Sequence, residues 1–378
     1  MKATPFPVAL VWLGASLALA ASRGQSQTTL KLAPAEPLAF ERAIAPRAFR
    51  WPEDHGPHFE FQTEWWYYTG QVATAHGRRF GFQLTFFRRG LSPGPPPVAG
   101  LATNQIYFAH FALTDIGAGR HASAERLSRG AAGLAGASGQ PFRVFVEDWT
   151  AVATSPDGAS VRVKARDGDL VLDLELRATK PRVAHGDRGL SPKSDEPGNA
   201  SFYVGYTRMA ARGRVGTDGT GAEVTGEAWF DHEWSTSALG PQAVGWDWFS
   251  LQLDDGRELM LFEIRRADGR REAASGGTLV ARDGRTRQLR STDFEIAVLE
   301  RWTSPESRAA YPARWRLRVP SEGLELEVTP LVAGQELRTA FVYWEGAVSV
   351  SGTSRGRPLA GRGYVELTGY ARSMLGVF

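Results

Sequence analysis

Seven consecutive residues, Trp229-Phe230-Asp231-His232-Glu233-Trp234-Ser235, put two carboxylates, an imidazole and two indoles within reach of one another. The run has the aromatic character of a β-strand, whose side chains alternate between faces. Asp231 and Glu233 therefore point one way, and Phe230, His232 and Trp234 the other. A carboxyl group withdrawn from water beside aromatic rings stays protonated near neutral pH and can act as a general acid. Such an acid can protonate an unactivated alkene. Aromatic faces then stabilise the carbocation, and a neighbouring imidazole or carboxylate can orient water for attack. This chemistry calls for neither a metal nor an organic cofactor.

Other acids lie in similar strands. Glu64 precedes Trp65-Trp66-Tyr67-Tyr68, Asp247 lies between Trp246 and Trp248, and Glu263 follows Phe262. Asp247 alternates with Phe249 and Leu251, and Glu263 with Leu259 and Leu261, so each shares an otherwise apolar face. A carboxylate there must be paired, hydrogen-bonded or protonated. An Arg partner, or a strand end in water, explains any one of these acids without function. A junction between domains explains the Asp231–Trp234 run equally well. The functional reading takes Asp231 or Glu263 as the acid and His232 as the group that orients water or tunes the acid. Trp234, Trp66, Tyr68 and Trp248, with Asp247 and Glu64, are the expected ligand-contacting residues. His232 and Trp234 are expected to face the ligand, and Asp231 and Glu233 to anchor the junction.

Competing chemistries find little support. The chain has no Cys, which removes thiol catalysis, thiolate metal sites and disulfides. The Gly-x-Ser-x-Gly string at Gly90–Gly94 runs into prolines where a nucleophile elbow needs a helix. The second, at Gly352–Gly356, has no His after it. His232-Glu233 lacks the following His of a helical zinc site, and His55, His58, His110 and His232 are scattered, so no metal is expected. A net charge of +3 and the absence of basic runs argue against nucleic acid.

The elements that must carry these residues read as strands throughout. Alternating or aromatic-rich runs recur from Trp51 onward, separated by turns that include Asp-Gly at 157, 167, 218, 255, 268 and 283. No stretch keeps a long helical period. The fold class is all-β, mostly antiparallel, in barrels or sandwiches. Glu64–Tyr68, a Gly-Arg turn and an apolar strand ending in Arg88-Arg89 are echoed by Trp246–Phe249, a Gly-Arg turn and a strand ending in Arg265-Arg266. The echo implies two duplicated domains.

The chain of 378 residues suits that division. The expected parts are a signal peptide over residues 1–20, a loosely ordered leader over 21–48, and domains over 49–237 and 238–378. Val8–Leu19 is an apolar run after Lys2, too short for a membrane span, and Ala18-Leu19-Ala20 offers a cleavage site. A periplasmic or secreted location with no transmembrane segment after cleavage follows.

On these residues the chain resembles the lipocalin-like family of carotenoid 1,2-hydratase, AttH-type proteins and fungal pericyclase relatives. Glu64–Gly70, Phe202–Met209, Gly226–Ser235, Trp246–Phe249 and Gly361–Tyr370 carry the resemblance, closest to the exported AttH-like branch. It implies two consecutive lipocalin-like antiparallel β-barrels with a hydrophobic ligand inside or between them. It also implies a site built from His232, Trp234 and an acid with an aromatic on a later strand. Phe262-Glu263 is the nearest match there and departs from the Tyr-x-Asp pattern of the hydratases. The implied activity is hydration, or a related addition or cyclisation, of an isoprenoid- or lipid-like molecule. The alternatives are a periplasmic lipid carrier serving an envelope ABC-type transporter, and a sugar-binding sandwich with exposed Trp platforms.

Overall fold

The computed structural model describes residues 40–97, 101–237 and 239–375. The expected signal peptide and the first part of the leader lie outside the described residues. Among those described, thirteen strands form one antiparallel sheet and ten form a second, with only two single-turn 3₁₀ helices. The first sheet ends at Ser235, and the second begins with the Ala243–Leu253 strand. Each curls around its own core. Trp66, Tyr68, Phe82 and Phe230 belong to the first core, and Phe249, Leu251, Trp315 and Val365 to the second.

The two sheets share a plan. In the first, Thr63–Ala73 lies between Arg79–Gly90, the next strand, and Ala222–Ser235, the last. In the second, Ala243–Leu253 lies between Glu258–Arg266 and the last strand, Arg357–Leu367. The echoed hairpins thus occupy the same place in both sheets, as duplication requires.

Residues 40–48 depart from the expected loose leader. Phe40 and Ala43 are buried, Glu41 donates its N–H to the Glu60 carbonyl at 2.8 Å, and Phe49 stands edge-on to Phe202 and Trp234. Widely spaced apolar anchors hold a segment whose Ala/Pro composition hides them.

Alternation gives each central strand a second apolar face, and these faces meet. Tyr67 and Trp229 from the first sheet pack with Trp248, Met260, Phe262 and Tyr364 from the second. Polar locks flank this contact. A bulge between Tyr206 and Met209 interrupts the first sheet's ladder and turns backbone groups outward. Gln252 donates to the carbonyls of Thr207 at 2.9 Å and Ala228 at 3.0 Å. Arg208, in the bulge, reaches the fully buried Glu258 at 2.6 Å, and Lys180 reaches the same carboxylate at 2.8 Å.

Removing one partner from a buried ion network leaves the others uncompensated. Glu258→Ala should therefore destabilise the protein by about 3–5 kcal/mol, measured by urea unfolding. Arg285→Ala on the exposed rim should change stability by less than about 0.5 kcal/mol.

Candidate active site

The Ala222–Ser235 strand places its chemistry on two faces. Its partner strands set Trp66 beside His232 and Glu64 beside Trp234 on one side, and Tyr203 beside Glu233 on the other. The inward face and the face toward the second sheet acquire different environments.

On the inward face, Glu64 accepts from His58 Nδ1 at 2.7 Å and His232 Nε2 at 2.8 Å through one oxygen. Its other oxygen accepts from Arg88 Nε at 2.8 Å and the His58 backbone N–H at 2.9 Å. Although burial alone would raise it, Arg88 and His58 hold the Glu64 carboxyl well below the usual carboxylate range. His58 moves up, because Glu64 and Asp54 outweigh its desolvation. His232 moves down through burial, so its ring is neutral and donates from Nε2. Its Nδ1 has no hydrogen-bond partner among the described residues. His58 stacks on Trp234 at 3.7 Å between ring centres, and Trp66 stacks on His232 at 5.0 Å.

His58, Glu64 and His232 are the one group among the described residues whose nitrogen and oxygen atoms converge closely enough for a metal. The donor set does not fit one. Both imidazole nitrogens already bond a single oxygen, and the Arg88 guanidinium supplies the countercharge on the other. The cluster is a buried, charge-balanced brace that ties the loop at Asp54–His58 to two central strands.

The face toward the second sheet is different. Between the sheets lies a cleft of about 90 Å³, walled by Trp65, Tyr67, Tyr203, Trp246, Trp248, Phe262 and Tyr343. Asp231, Glu233, Glu345, Glu366 and Lys193 line the same space. Glu233 pairs with Lys193 at 2.7 Å and accepts from Ser201 Oγ. Among the described residues, Asp231 has no cation in contact. It accepts from Tyr203 Oη at 2.6 Å and Trp229 Nε1 at 2.9 Å, and Trp248 Nε1 donates to the same Tyr203 oxygen at 3.0 Å. Burial, reinforced by the charge of Glu233, pushes its carboxyl up to about 8 despite those hydrogen bonds. Across the cleft, Glu345 and Glu366 are register partners on adjacent strands. Burial raises both, Glu366 to about 8; the charge of Glu366 adds to the rise of Glu345, and those of Glu233 and Asp231 to the rise of Glu366. Glu345 accepts from Tyr67 Oη, and Glu366 accepts from Trp246 Nε1 at 3.1 Å.

The expected residues therefore separate. Asp231 and Trp248 line the cleft; His232, Trp234, Trp66, Tyr68 and Glu64 pack inside the first sheet and do not. This cleft is lined from the acid face of the strand and not by His232 or Trp234, because the second sheet covers the acid side. Asp247 points into the second core, bonded to Arg265 at 2.9 Å and to Tyr370 Oη at 2.9 Å. Glu263 sits near it, paired with Arg271 at 3.3 Å. Sequence reasoning missed Glu345, Glu366, Tyr203 and Lys193. The signal was Tyr343-x-Glu345 and Tyr364-x-Glu366, two aromatic–acid pairs at strand spacing on later strands.

The sequence profile of the AttH-like family matches residues 42–370, and the chain belongs to that family. The crystal structure of an AttH protein from Nitrosomonas europaea is 34% identical, with a TM-score of 0.79, covering 88% of this chain and 100% of that one. Kievitone hydratase from Nectria haematococca shares the fold at 16% identity and a TM-score of 0.68, over 90% of this chain and 98% of its own. CghA does so at 12% identity and 0.51, over 88% and 97%. No curated protein matches the chain.

An Asp231 carboxyl held at about 8, against an ordinary 3.8, is protonated in the folded protein where the unfolded chain is ionised. Its contribution to stability is full below about 3.8 and is lost as pH rises toward about 8. The stability of Asp231→Asn relative to wild type should therefore increase across that window and level off above it. Chemical denaturation at a series of pH values measures this, and a flat difference would contradict the assignment.

Proposed function

We propose that this AttH-like protein is a cofactor-independent acid–base enzyme. It hydrates, or by a related addition cyclises, an unsaturated isoprenoid- or lipid-like molecule bound between the two sheets. The observation that carries this reading is Asp231: a buried carboxyl without a contacting cation, raised to about 8, at the wall of an aromatic cleft. Kinship in fold with an enzyme named for hydration is compatible with it.

The steps follow from the groups present. The Asp231 O–H bond breaks as a C–H bond forms at the less substituted alkene carbon, leaving the cation on the more substituted one. The rings of Tyr67, Trp248 and Phe262 line that space and lower the cation's energy. Water adds to the cation and gives a proton to Glu233, which Lys193 holds as an ion pair. Glu345 and Glu366, both raised, offer hydrogen-bond donors to a carbonyl or hydroxyl on the same substrate. His232, on the far face of the strand, takes no part in these steps and holds the strand through Glu64. The exported location read from residues 1–20 belongs to this proposal, since it would place the enzyme among envelope lipids.

Prenylated phenols and linear polyenes, incubated with the protein in ¹⁸O-labelled water, test the reading. Wild type should transfer one labelled oxygen, and Asp231→Asn should lower the rate by about 10²–10⁴-fold. Activity should fall as pH rises through about 8, because the acid must be protonated. Glu263→Gln, outside the cleft, should leave the rate near wild type. Equal rates for wild type and Asp231→Asn would refute the acid. An unmodified lipid recovered from both, without label, would establish a carrier instead.

A further inference from the structure

Beside Asp231, outside the lining of the cleft, lies a buried ring that the steps above do not use. His185 follows the short Val183–Ala184 strand and donates its backbone N–H to the Tyr203 carbonyl at 2.9 Å. Its imidazole rests on the Tyr203 ring at 4.3 Å between centres and is fully buried. Its Nε2 points at Asp231 Oδ1, 3.8 Å away, and has no hydrogen-bond partner among the described residues. A buried, unpaired ring nitrogen is costly, so its aim at an acid calls for a reason.

The gap is kept open by Gly205. A Cβ there would stand 2.5 Å from Asp231 Oδ1 and 3.4 Å from His185 Nε2, besides meeting the Phe230 carbonyl at 2.5 Å. On its other side, His185 Nδ1 lies 2.9 Å from Thr278 Oγ1, which donates to Gln288 Oε1 at 2.9 Å. Gln288 is exposed. Thr278 and Gln288 belong to the second sheet, so the line from Asp231 to solvent crosses the contact between sheets.

We propose that His185 is the proton route by which Asp231 recovers its proton from solvent after each turnover. The proposal rests on reading Asp231 as the acid. It acts by exchange of tautomers, without an imidazolium. With Asp231 protonated, His185 carries its hydrogen on Nδ1 and donates to Thr278, and the Asp231 O–H, when turned from the cleft, faces the Nε2 lone pair. With Asp231 ionised, the hydrogen sits on Nε2 and faces the carboxylate, while Thr278 donates to Nδ1. Passing outward, the Asp231 O–H bond breaks as Nε2–H forms, the Nδ1–H bond breaks as Thr278 Oγ1 takes that hydrogen, and Thr278 gives its own hydrogen to solvent water beside Gln288; the inward passage reverses each step. One proton leaves or enters Asp231, and one enters or leaves at the solvent edge beside Gln288, so the count balances. His185 is a positioning residue, since it acts only through Asp231.

The surroundings favour a neutral ring in both states. Burial, with Lys193 adding to it, drives His185 down to about 3. The groups around it are Asp231 on the last strand of the first sheet, Tyr203 beneath the ring, Lys193 in the adjoining loop, and the uncharged Thr278 and Gln288 opposite.

The test is nuclear magnetic resonance on the full-length protein, ¹⁵N-labelled at His and ¹³C-labelled at the Asp carboxyls, titrated from pH 5 to pH 10 without ligand. The Asp231 and His185 signals are assigned by their loss in Asp231→Asn and His185→Gln. Should His185→Gln not fold, the response of the same resonance to Thr278→Ala identifies it. Expected is a His185 ring with hydrogen on Nδ1 at low pH that moves to Nε2 with the midpoint at which Asp231 ionises. A ring that keeps one tautomer while Asp231 titrates would overturn the relay and leave the acid standing. An Asp231 carboxylate ionised across the whole range would overturn both.

Discussion

Asp231 meets Tyr203 and Trp229 at hydrogen-bond distance and no cation, in a space closed by the second sheet. Across the cleft Glu345 and Glu366 likewise meet a phenol and an indole, whereas the other neighbouring acids are treated otherwise. Glu64 receives Arg88 and two imidazoles, Glu233 receives Lys193, Glu258 receives Arg208 and Lys180, and Asp247 receives Arg265. Ionising an isolated carboxyl in such surroundings costs several kcal/mol, so Asp231 keeps its proton and the fold keeps the environment that makes it do so. The locks at Gln252 and Glu258 hold the sheets together around the cleft.

The two faces of the Ala222–Ser235 strand divide the labour. The inward face, with His232 bonded to Glu64 and stacked beside Trp66, contributes rigidity. That fixes the strand's position relative to the Asp54–His58 loop and leaves its other face free to carry an unpaired acid. Rigidity matters to the proposed reaction, because an acid that is to meet an alkene carbon gains little from burial if its direction wanders. Two opposed functions on adjacent residues follow from the period of two, and from a second sheet packed where a single barrel would meet water.

The architecture was legible in the sequence because alternation and Asp-Gly turns are local signals. The echoed hairpins announced two related sheets that share a topology. The motif itself, Asp231 to Trp234, marked the strand on which the two environments meet. What could not be read was which face the cavity would take, since that depends on how the two sheets dock. His58 and Arg88, far from His232 in sequence, decide that the inward face is a brace. Glu345 and Glu366 sit on strands more than a hundred residues beyond Asp231, and only docking brings them across from it. Glu263, the alternative acid, falls on the inner face of its strand by the same alternation that puts Phe262 and Ile264 in the cleft.

The central claim is that chemistry happens against Asp231, between the sheets, and not against His232 within the first one. A crystal structure with a prenylated phenol or polyene bound to the Asp231→Asn variant tests it most directly. The unsaturated carbons should lie between Trp248 and Tyr67, within van der Waals reach of residue 231. A ligand lodged instead inside the first sheet, against His232 and Trp234, would contradict it.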